Sequence, residues 1–178
     1  MTIYQKIKRA VLACTCAAAL LACSGNNWRD YSSPEAPYRV MFPEKPSVYK
    51  RSIDLDGMKV DMTMTAVDRD GTIFAVGSAQ APDAAKAEAA LAAMKTALVK
   101  NLGATVTRES SKVQASSASG RRASMEVEAN GTQNGNPMKL IGHFEARQQR
   151  FYQVIVIGKA KAMPSADIEQ FMSSFTLL

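Results

Sequence analysis

The sequence predicts an α+β fold, an α/β sandwich in which two helices cover a twisted antiparallel sheet of about six to eight strands. Segments with the two-residue period of strands recur along residues 38–158. Asp-Gly and Asn-Gly pairs, which form tight hairpin turns, separate several of these segments. Two further segments carry apolar residues at the spacing of amphipathic helices.

Strands make up the first half of the predicted domain. Strand periodicity covers residues 38–42, 47–54, 58–68 and 72–79. Pro43 and Pro46 end the first segment, because proline cannot donate to a sheet. Asp56-Gly57 and Asp70-Gly71 are predicted hairpin turns, so neighbouring strands are expected to be antiparallel.

A helix is predicted to follow these strands. Pro82-Asp83 opens it, because an aspartate side chain can cap free backbone amides. One apolar stripe then follows at helical spacing: Ala87, Leu91, Met94, Leu98 and Leu102. Gly103 is placed to end the helix in the left-handed conformation.

Four more strand segments and a terminal helix complete the predicted domain. The strand segments are residues 104–115, 122–129, 138–147 and 151–158. Asn130-Gly131 and Asn134-Gly135 mark the turn between the second and third of them. The last strand is apolar on both faces, which predicts a central place in the sheet. The terminal helix begins at Pro164-Ser165, with its inward face formed by Ile168, Phe171, Met172 and Phe175.

The amino terminus predicts export from the cytoplasm. It has a basic start without acids, followed at residues 10–21 by an apolar run too short to span a bilayer. Leu20-Leu21-Ala22-Cys23 then resembles the lipobox of bacterial lipoproteins. This resemblance implies cleavage between Ala22 and Cys23 and attachment of lipid to the Cys23 sulfur. Ser24 stands where an aspartate retains some lipoproteins at the inner membrane, so it implies the outer membrane.

These signals divide the chain into three parts. They are a signal peptide at residues 1–22, the lipidated Cys23 with a flexible tether at residues 23–37, and one α+β domain at residues 38–178. The tether is rich in Gly, Asn, Ser and Pro and reaches about 45–50 Å when fully extended. The sequence allows two locations for the aromatic tether residues Trp28 and Tyr31: the lipid interface or the surface of the domain.

Removal of the signal peptide changes both the charge and the cysteine count. The whole chain has 22 Lys and Arg against 16 Asp and Glu, a formal charge of +6. Without Lys6, Lys8 and Arg9, 19 basic residues remain and the formal charge falls to +3. Cys14 and Cys16 are lost as well, so no disulfide is expected in the mature domain.

Both ends of the predicted domain resemble the PsbP/Mog-like family, which includes the PsbP subunit of photosystem II, Ran-binding Mog proteins and many bacterial lipoproteins. The resembling segments are Tyr38-Arg39-Val40-Met41-Phe42-Pro43 with Pro46, then residues 151–158 (FYQVIVIG) and residues 171–177 (FMSSFTL). The resemblance implies an α/β sandwich with an antiparallel sheet and a binding role without catalysis. It transfers no binding residues to this chain.

His143, the only histidine, is the natural candidate for acid–base chemistry. A Ser-His-Asp hydrolase would have to use it, yet no Gly-x-Ser-x-Gly motif is present. We interpret it as a partly exposed sheet residue that shares its strand face with Lys139, Ile141, Glu145 and Arg147. One histidine and a lipidated cysteine also argue against a structural zinc site.

Two other patterns suggest metals only weakly. The Asp-x-Asp-Gly runs at residues 54–57 and 68–71 begin like calcium loops but lack the spacing of an EF-hand, so hairpin turns explain them. Met58, Met62 and Met64 suggest soft-metal binding. Met62 and Met64 share a strand face with apolar neighbours, however, so they are predicted to fill the core.

The sequence therefore favours a non-enzymatic, membrane-anchored envelope lipoprotein that presents an interaction or structural domain to an envelope protein partner. Its candidate surface is a small basic patch of Lys112, Arg121 and Arg122. The patch lacks aromatic residues for stacking on bases, so nucleic acid is not an expected partner. No cofactor is expected. The expected location is the outer membrane, facing the periplasm, and the inner membrane and the cell surface are the alternatives. The alternative is a carrier of a small apolar ligand or metal between sheet and helices.

Overall fold

A computed structural model describes residues 28–117 and 120–178, without the side chains of residues 115–117 and 121. This part of the chain contains ten strands and two helices. The strands are β1 (Arg29–Ser32), β2 (Tyr38–Phe42), β3 (Ser47–Leu55), β4 (Met58–Arg69), β5 (Thr72–Gln80), β6 (Thr105–Ser117), β7 (Gly120–Gln133), β8 (Asn136–Arg147), β9 (Arg150–Lys159) and β10 (Thr176–Leu177). The helices are α1 (Ala84–Asn101) and α2 (Ser165–Ser174).

Seven strands form the main sheet, in the order β3-β4-β5-β9-β8-β7-β6. All neighbouring pairs are antiparallel. Three turns, Asp56-Gly57, Asp70-Gly71 and Asn134-Gly135, have positive φ at both central residues, as type I′ hairpins require. The predicted antiparallel sheet with two helices is confirmed, and β9 lies at its centre as predicted. The chain is richer in strands than the predicted sandwich, because a second sheet is present.

Helix α1 packs on one face of the main sheet, and its ends form as predicted. The Asp83 carboxylate accepts a hydrogen bond from the Lys86 amide (2.7 Å) at the first turn. At the other end Gly103 has a φ of 55°, and the Ala104 amide donates to the Val99 carbonyl (2.9 Å) in a Schellman motif. The largest residues buried on this face are Met62, Met64, Leu91, Met94, Leu140, Phe144, Phe151 and Ile155.

The opposite face of the main sheet is covered by α2 and by a second sheet of three strands, in the order β1-β2-β10. The residues buried between these layers include Tyr38, Val40, Phe42, Phe74, Val76, Tyr152, Val154 and Phe171. The central strands of the main sheet are therefore buried on both faces, which explains why β9 is apolar at nearly every position.

Part of the predicted tether belongs to the folded domain. Residues Arg29–Ser32 form β1 and pair with β2, although sparse apolar residues had predicted a flexible segment. The Tyr31 ring packs edge-on against Phe42, with centroids 5.9 Å apart, and Trp28 packs against the same core. These aromatic contacts hold the segment on the domain, so the described fold begins before the predicted boundary at Tyr38.

One predicted turn is wrong, because Asn130-Gly131 lies inside β7, which continues to Gln133. Gly131 is required there for close approach rather than for a turn. A Cβ at this position would lie 2.7 Å from the Leu102 carbonyl oxygen, where α1 ends against the strand.

Candidate interaction surface

One part of the main sheet has no covering layer among residues 28–117 and 120–178. On β6, β7 and β8 the face that carries α2 elsewhere presents mostly charged side chains. We call this surface the charged shelf and define it by Arg108, Lys112, Arg122, Ser124, Glu126, Glu128, Lys139, His143 and Glu145. Strand register places these side chains on the α2 side of the sheet. Glu145 and His143 are the Cα partners of Tyr152 and Val154 on β9, which are buried on that side.

His143 is the centre of an ion-pair network on the charged shelf. Its Nδ1 contacts the carboxylate of Glu126, which is its Cα partner on β7, and its Nε2 lies 3.1 Å from Glu145 Oε2. Arg122 Nε in turn lies 2.5 Å from Glu145 Oε1. The Glu145 side chain is only 3% exposed, whereas those of Glu126 and Arg122 are more than half exposed. The network therefore links exposed Glu126 and exposed Arg122 through His143 and the buried carboxylate of Glu145.

Charge and burial oppose each other in this network. Burial by itself lowers the pKa of His143, but hydrogen bonds to Glu126 and Glu145 outweigh it and raise the pKa to about 9. Burial by itself raises the pKa of Glu145, but its contacts with His143 and Arg122 outweigh burial and lower the pKa. At neutral pH the four side chains therefore carry two positive and two negative charges.

A second ion-pair group lies farther along the charged shelf. Glu128 contacts Lys139 (2.9 Å) on β8 and Arg108 (3.4 Å) on β6. The hydrogen bond from Lys139 is the main reason why the pKa of Glu128 is lowered. The charged shelf is thus ordered by paired charges on three neighbouring strands.

A groove lies between the charged shelf and the last turn of α2 with the residues that follow it. Its volume is about 580 Å³, and its polar floor includes Glu126, His143 and Glu145. Its opposite wall is formed mainly by Met172, Phe175 and Leu177. The rings of His143 and Phe175 lie 6.0 Å apart across it. The groove combines charged groups and partly exposed apolar groups in one concave surface.

The structure brings together two of the three predicted patch residues. Lys112 and Arg122 line one small depression, together with His143. The side chain of Arg121 lies outside the described part of the chain, as do the predicted cleavage and lipidation residues Ala22 and Cys23.

Sequence reasoning placed Arg147 on the strand face of His143 but did not assign Glu126, Arg147 or Arg150 to a site. Glu126 lies directly opposite His143, and Arg147 lies opposite both Arg122 and Arg150. The pairing of Arg147 with Arg150 could have been predicted, because a tight turn at Gln148-Gln149 makes its two flanking residues neighbours. The pairing of Glu126 with His143 and of Arg122 with Arg147 depends on the register of β7 against β8, which the sequence does not show.

The structure assigns ordinary roles to the two weak metal patterns. Met62 and Met64 are buried in the core under α1. In the two Asp-x-Asp-Gly runs, Asp54 and Asp68 accept hydrogen bonds from the amides of Gly57 and Gly71 at hairpin turns. Across residues 28–117 and 120–178, no group of three His, Cys, Asp or Glu side chains is placed to hold a metal ion. In the same ranges, neither helix is long and apolar enough to cross a membrane.

These features define the class of protein as a β-rich domain with two helices and an antiparallel main sheet. Each face of this sheet has a hydrophobic core, and one charged part of it has no cover among the described residues. Comparison of the chain with protein-family models and with curated proteins finds no match. Its function is therefore argued from the charged shelf, the groove and the amino-terminal segment.

Proposed function

We propose that the chain is a membrane-anchored envelope lipoprotein whose folded part is a non-catalytic interaction domain. The anchor is argued from the basic start, the short apolar run and the lipobox-like Leu20-Leu21-Ala22-Cys23. Ser24 favours the outer membrane, with the domain facing the periplasm. The partner is an envelope protein that binds the charged shelf and its groove.

The observation that carries the interaction role is the uncovered, ion-paired charged shelf. The central strands β5 and β9 are buried on both faces, whereas this surface keeps charged side chains exposed beside them. Charged side chains beside an apolar wall resemble the polar rim and apolar centre of protein interfaces. Because the charges are already paired, the surface is ordered before a partner arrives, which lowers the entropy cost of binding.

The state of His143 supports a role without catalysis. Both ring nitrogens are engaged by carboxylates, and the pKa of about 9 keeps the imidazole protonated at neutral pH. A general base must instead be able to accept a proton at the working pH. Ser124 shares a depression with His143, yet the ring nitrogens that would activate its hydroxyl are occupied.

The proposed anchor would hold the domain close to the bilayer. Trp28, which packs on the core, follows Cys23 by five residues, a distance of at most about 18 Å when extended. The tether predicted from sequence allowed a much longer stand-off. A partner of the charged shelf is therefore expected to lie near the membrane surface.

Cys23→Ser tests the anchor. We expect the variant to lose labelling by a radioactive fatty acid and to move from the membrane fraction to the soluble periplasmic fraction, because no thiol is left to take the lipid. Ser24→Ala is the matched control and should remain labelled and membrane-bound. Retention of the label by the Cys23→Ser protein would exclude this lipidation site.

A cross-linking experiment tests the interaction role. A photo-reactive amino acid at Ser110 or Lys112, both exposed on β6, should form a reproducible adduct of one mass with an envelope protein in living cells. The same residue at Ala92, exposed on α1 behind the sheet, should not form that adduct. Arg108→Glu reverses a charge on the shelf and should reduce the adduct yield several-fold. An equal yield from all three positions, or no change with Arg108→Glu, contradicts a specific shelf interface.

The more specific fold proposal is PsbP/Mog-like. It is supported by an antiparallel sheet with strands before and after α1, by the opening strand that runs into Pro43, and by the closing helix followed by Phe175. The small sheet formed by β1, β2 and β10 is a feature that the resemblance did not lead us to expect.

The second candidate function, a carrier, has one observation in its favour. A groove of about 520 Å³ lies between α1 and the β3–β4 hairpin, and alanines with Leu55 and Met58 form its apolar part. Native mass spectrometry of protein from its own host should then show a bound small molecule that Ala93→Trp displaces. Protein that is always recovered without such a molecule contradicts the carrier.

A further inference from the structure

Three arginines form a row across neighbouring strands of the main sheet. Arg122 on β7 is the Cα partner of Arg147 on β8, and Arg147 is the partner of Arg150 on β9. Gln80 on β5 continues the row beyond Arg150. Like charges placed directly opposite each other on adjacent strands repel, so negative charge near this row would stabilise it.

Only one arginine of the row has a carboxylate partner among the described side chains. Arg122 pairs with Glu145 at 2.5 Å. Arg150 donates instead to the neutral side-chain oxygen of Gln80 (3.4 Å). No described carboxylate lies within ion-pair distance of Arg147 or Arg150. Arg147 and Arg150 therefore have no ion-pair partner among the described side chains, although Leu178, which carries an α-carboxylate, also lines their pocket.

These two arginines line a concave pocket of about 640 Å³. Amide side chains surround them, and Gln80 donates to Gln149 (3.3 Å) on the rim. The buried ring of Tyr152 also lines the pocket. Burial raises the pKa of Tyr152 to about 12, and the charge of Glu145 acts in the same direction. The charges of Arg150 and Arg147 act to lower this pKa, so both guanidinium groups influence the floor of the pocket.

The turn beneath the pocket is built from unusual residues. Gln148 has a φ of 55°, in the left-handed region that favours glycine or asparagine. The other three hairpins with positive φ use Asp-Gly or Asn-Gly pairs instead. The chain thus keeps two glutamine side chains at the pocket, although the backbone conformation of Gln148 favours a smaller residue.

We propose that this pocket binds a phosphate group between Arg147 and Arg150, with Gln80 and Gln149 as neutral hydrogen-bonding neighbours. Guanidinium groups present planar pairs of donors that match the oxygens of an oxyanion. Two of them balance the charge of a phosphate monoester, which is about −1.5 to −2 at neutral pH. A bound phosphate would also remove the repulsion between the opposed arginines.

The pocket adjoins the groove of the charged shelf, because Arg147 and Leu177 line both, but its phosphate site does not depend on the lipid anchor. Strand β2 runs from Tyr38, beside the Pro37 rim of the pocket, to Phe42, which pairs with Arg29 next to Trp28. The pocket and Trp28 therefore lie at opposite ends of the small sheet.

A titration of the detergent-solubilised lipoprotein with inorganic phosphate tests the proposal, with the amide signals of Gln149 and Arg150 followed by NMR. We expect saturable shifts, weakened about tenfold or more by Arg147→Gln and by Arg150→Gln, since hydrogen bonds to charged groups carry that much affinity. Arg51→Gln, the same charge change on exposed β3, should leave the affinity within about twofold. Circular dichroism confirms that each variant is folded.

Comparison ligands distinguish the source of the phosphate and the type of anion. Equal affinity for inorganic phosphate and for soluble dihexanoyl phosphatidic acid supports a free or polymer-borne phosphate, and a preference for the lipid assigns a headgroup instead. Either result retains the phosphate site. Tighter binding of succinate than of phosphate overturns it, as does the absence of saturable shifts up to about 10 mM or an equal loss of affinity in Arg51→Gln.

Discussion

Phe171→Ala is expected to lower the free energy of unfolding by about 3–5 kcal/mol, the usual cost of truncating a fully buried phenylalanine. The Phe171 side chain is 0% exposed, and its ring lies 5.3 Å from that of Phe42 and 5.4 Å from that of Phe74. It is the one α2 residue that is fully buried. Its removal leaves a cavity where α2, the small sheet and the main sheet meet.

Urea unfolding followed by circular dichroism measures this loss. Glu169→Ala on the exposed side of the same helix is the matched control and should change the stability by less than about 0.5 kcal/mol. A loss below about 1 kcal/mol in Phe171→Ala would mean that α2 contributes little to the fold and that this core does not hold the layers together.

Stability is expected to fall as the pH rises from about 6.5 to 9, because the folded state then loses its preference for protonated His143. The pKa of His143 is about 9 in the folded state and 6.5 without the network. A group whose pKa is raised on folding stabilises the protein fully below its unfolded pKa and stops doing so above its folded pKa. The difference corresponds to a loss of about 3 kcal/mol across this range.

His143→Gln removes the titrating group while it retains hydrogen-bonding capacity. Its urea midpoints should be nearly constant between pH 6.5 and 9, whereas those of the native protein should decrease steadily. Glu145 acts in the opposite direction, since its lowered pKa adds stability that is lost as the pH falls into the acid range. Identical pH profiles for the native protein and His143→Gln would show that the network does not contribute to folding.

Much of the fold follows from short-range sequence patterns. The cap at Asp83, the left-handed Gly103 and the three Asp-Gly or Asn-Gly turns require only a few neighbouring residues, and each forms as predicted. The central position of β9 follows from apolar residues on both faces of one segment. These features are predictable because capping, turn chemistry and strand period act over distances of a few residues along the chain.

Long-range contacts explain what sequence reasoning missed in the fold. Residues Arg29–Ser32 have a polar composition, yet they form a strand because Tyr31 and Trp28 pack on a core made by distant segments. Gly131 was predicted in a turn because the Asn-Gly pair is a strong local signal. Its role depends instead on the approach of α1, which only the folded chain brings near.

The candidate sites were less predictable than the fold. Lys112 and Arg122 were visible as basic residues in sequence, and they do share a depression. The contacts of His143 with Glu126, and the row formed by Arg122, Arg147 and Arg150, depend on the register between strands. A shift of one residue in that register would place alternate side chains on the other face and remove both arrangements.

The amino-acid sequence alone therefore predicts an exported, lipid-attached chain with an antiparallel sheet, since signal segments, turns and periodicity are local properties. The three-dimensional arrangement determines that β6, β7 and β8 keep an uncovered charged surface and that two arginines without carboxylate partners among the described residues face one pocket. Burial and charge pairing depend on which distant elements pack together. That packing depends on the mutually supporting contacts of the whole core and not on any single segment.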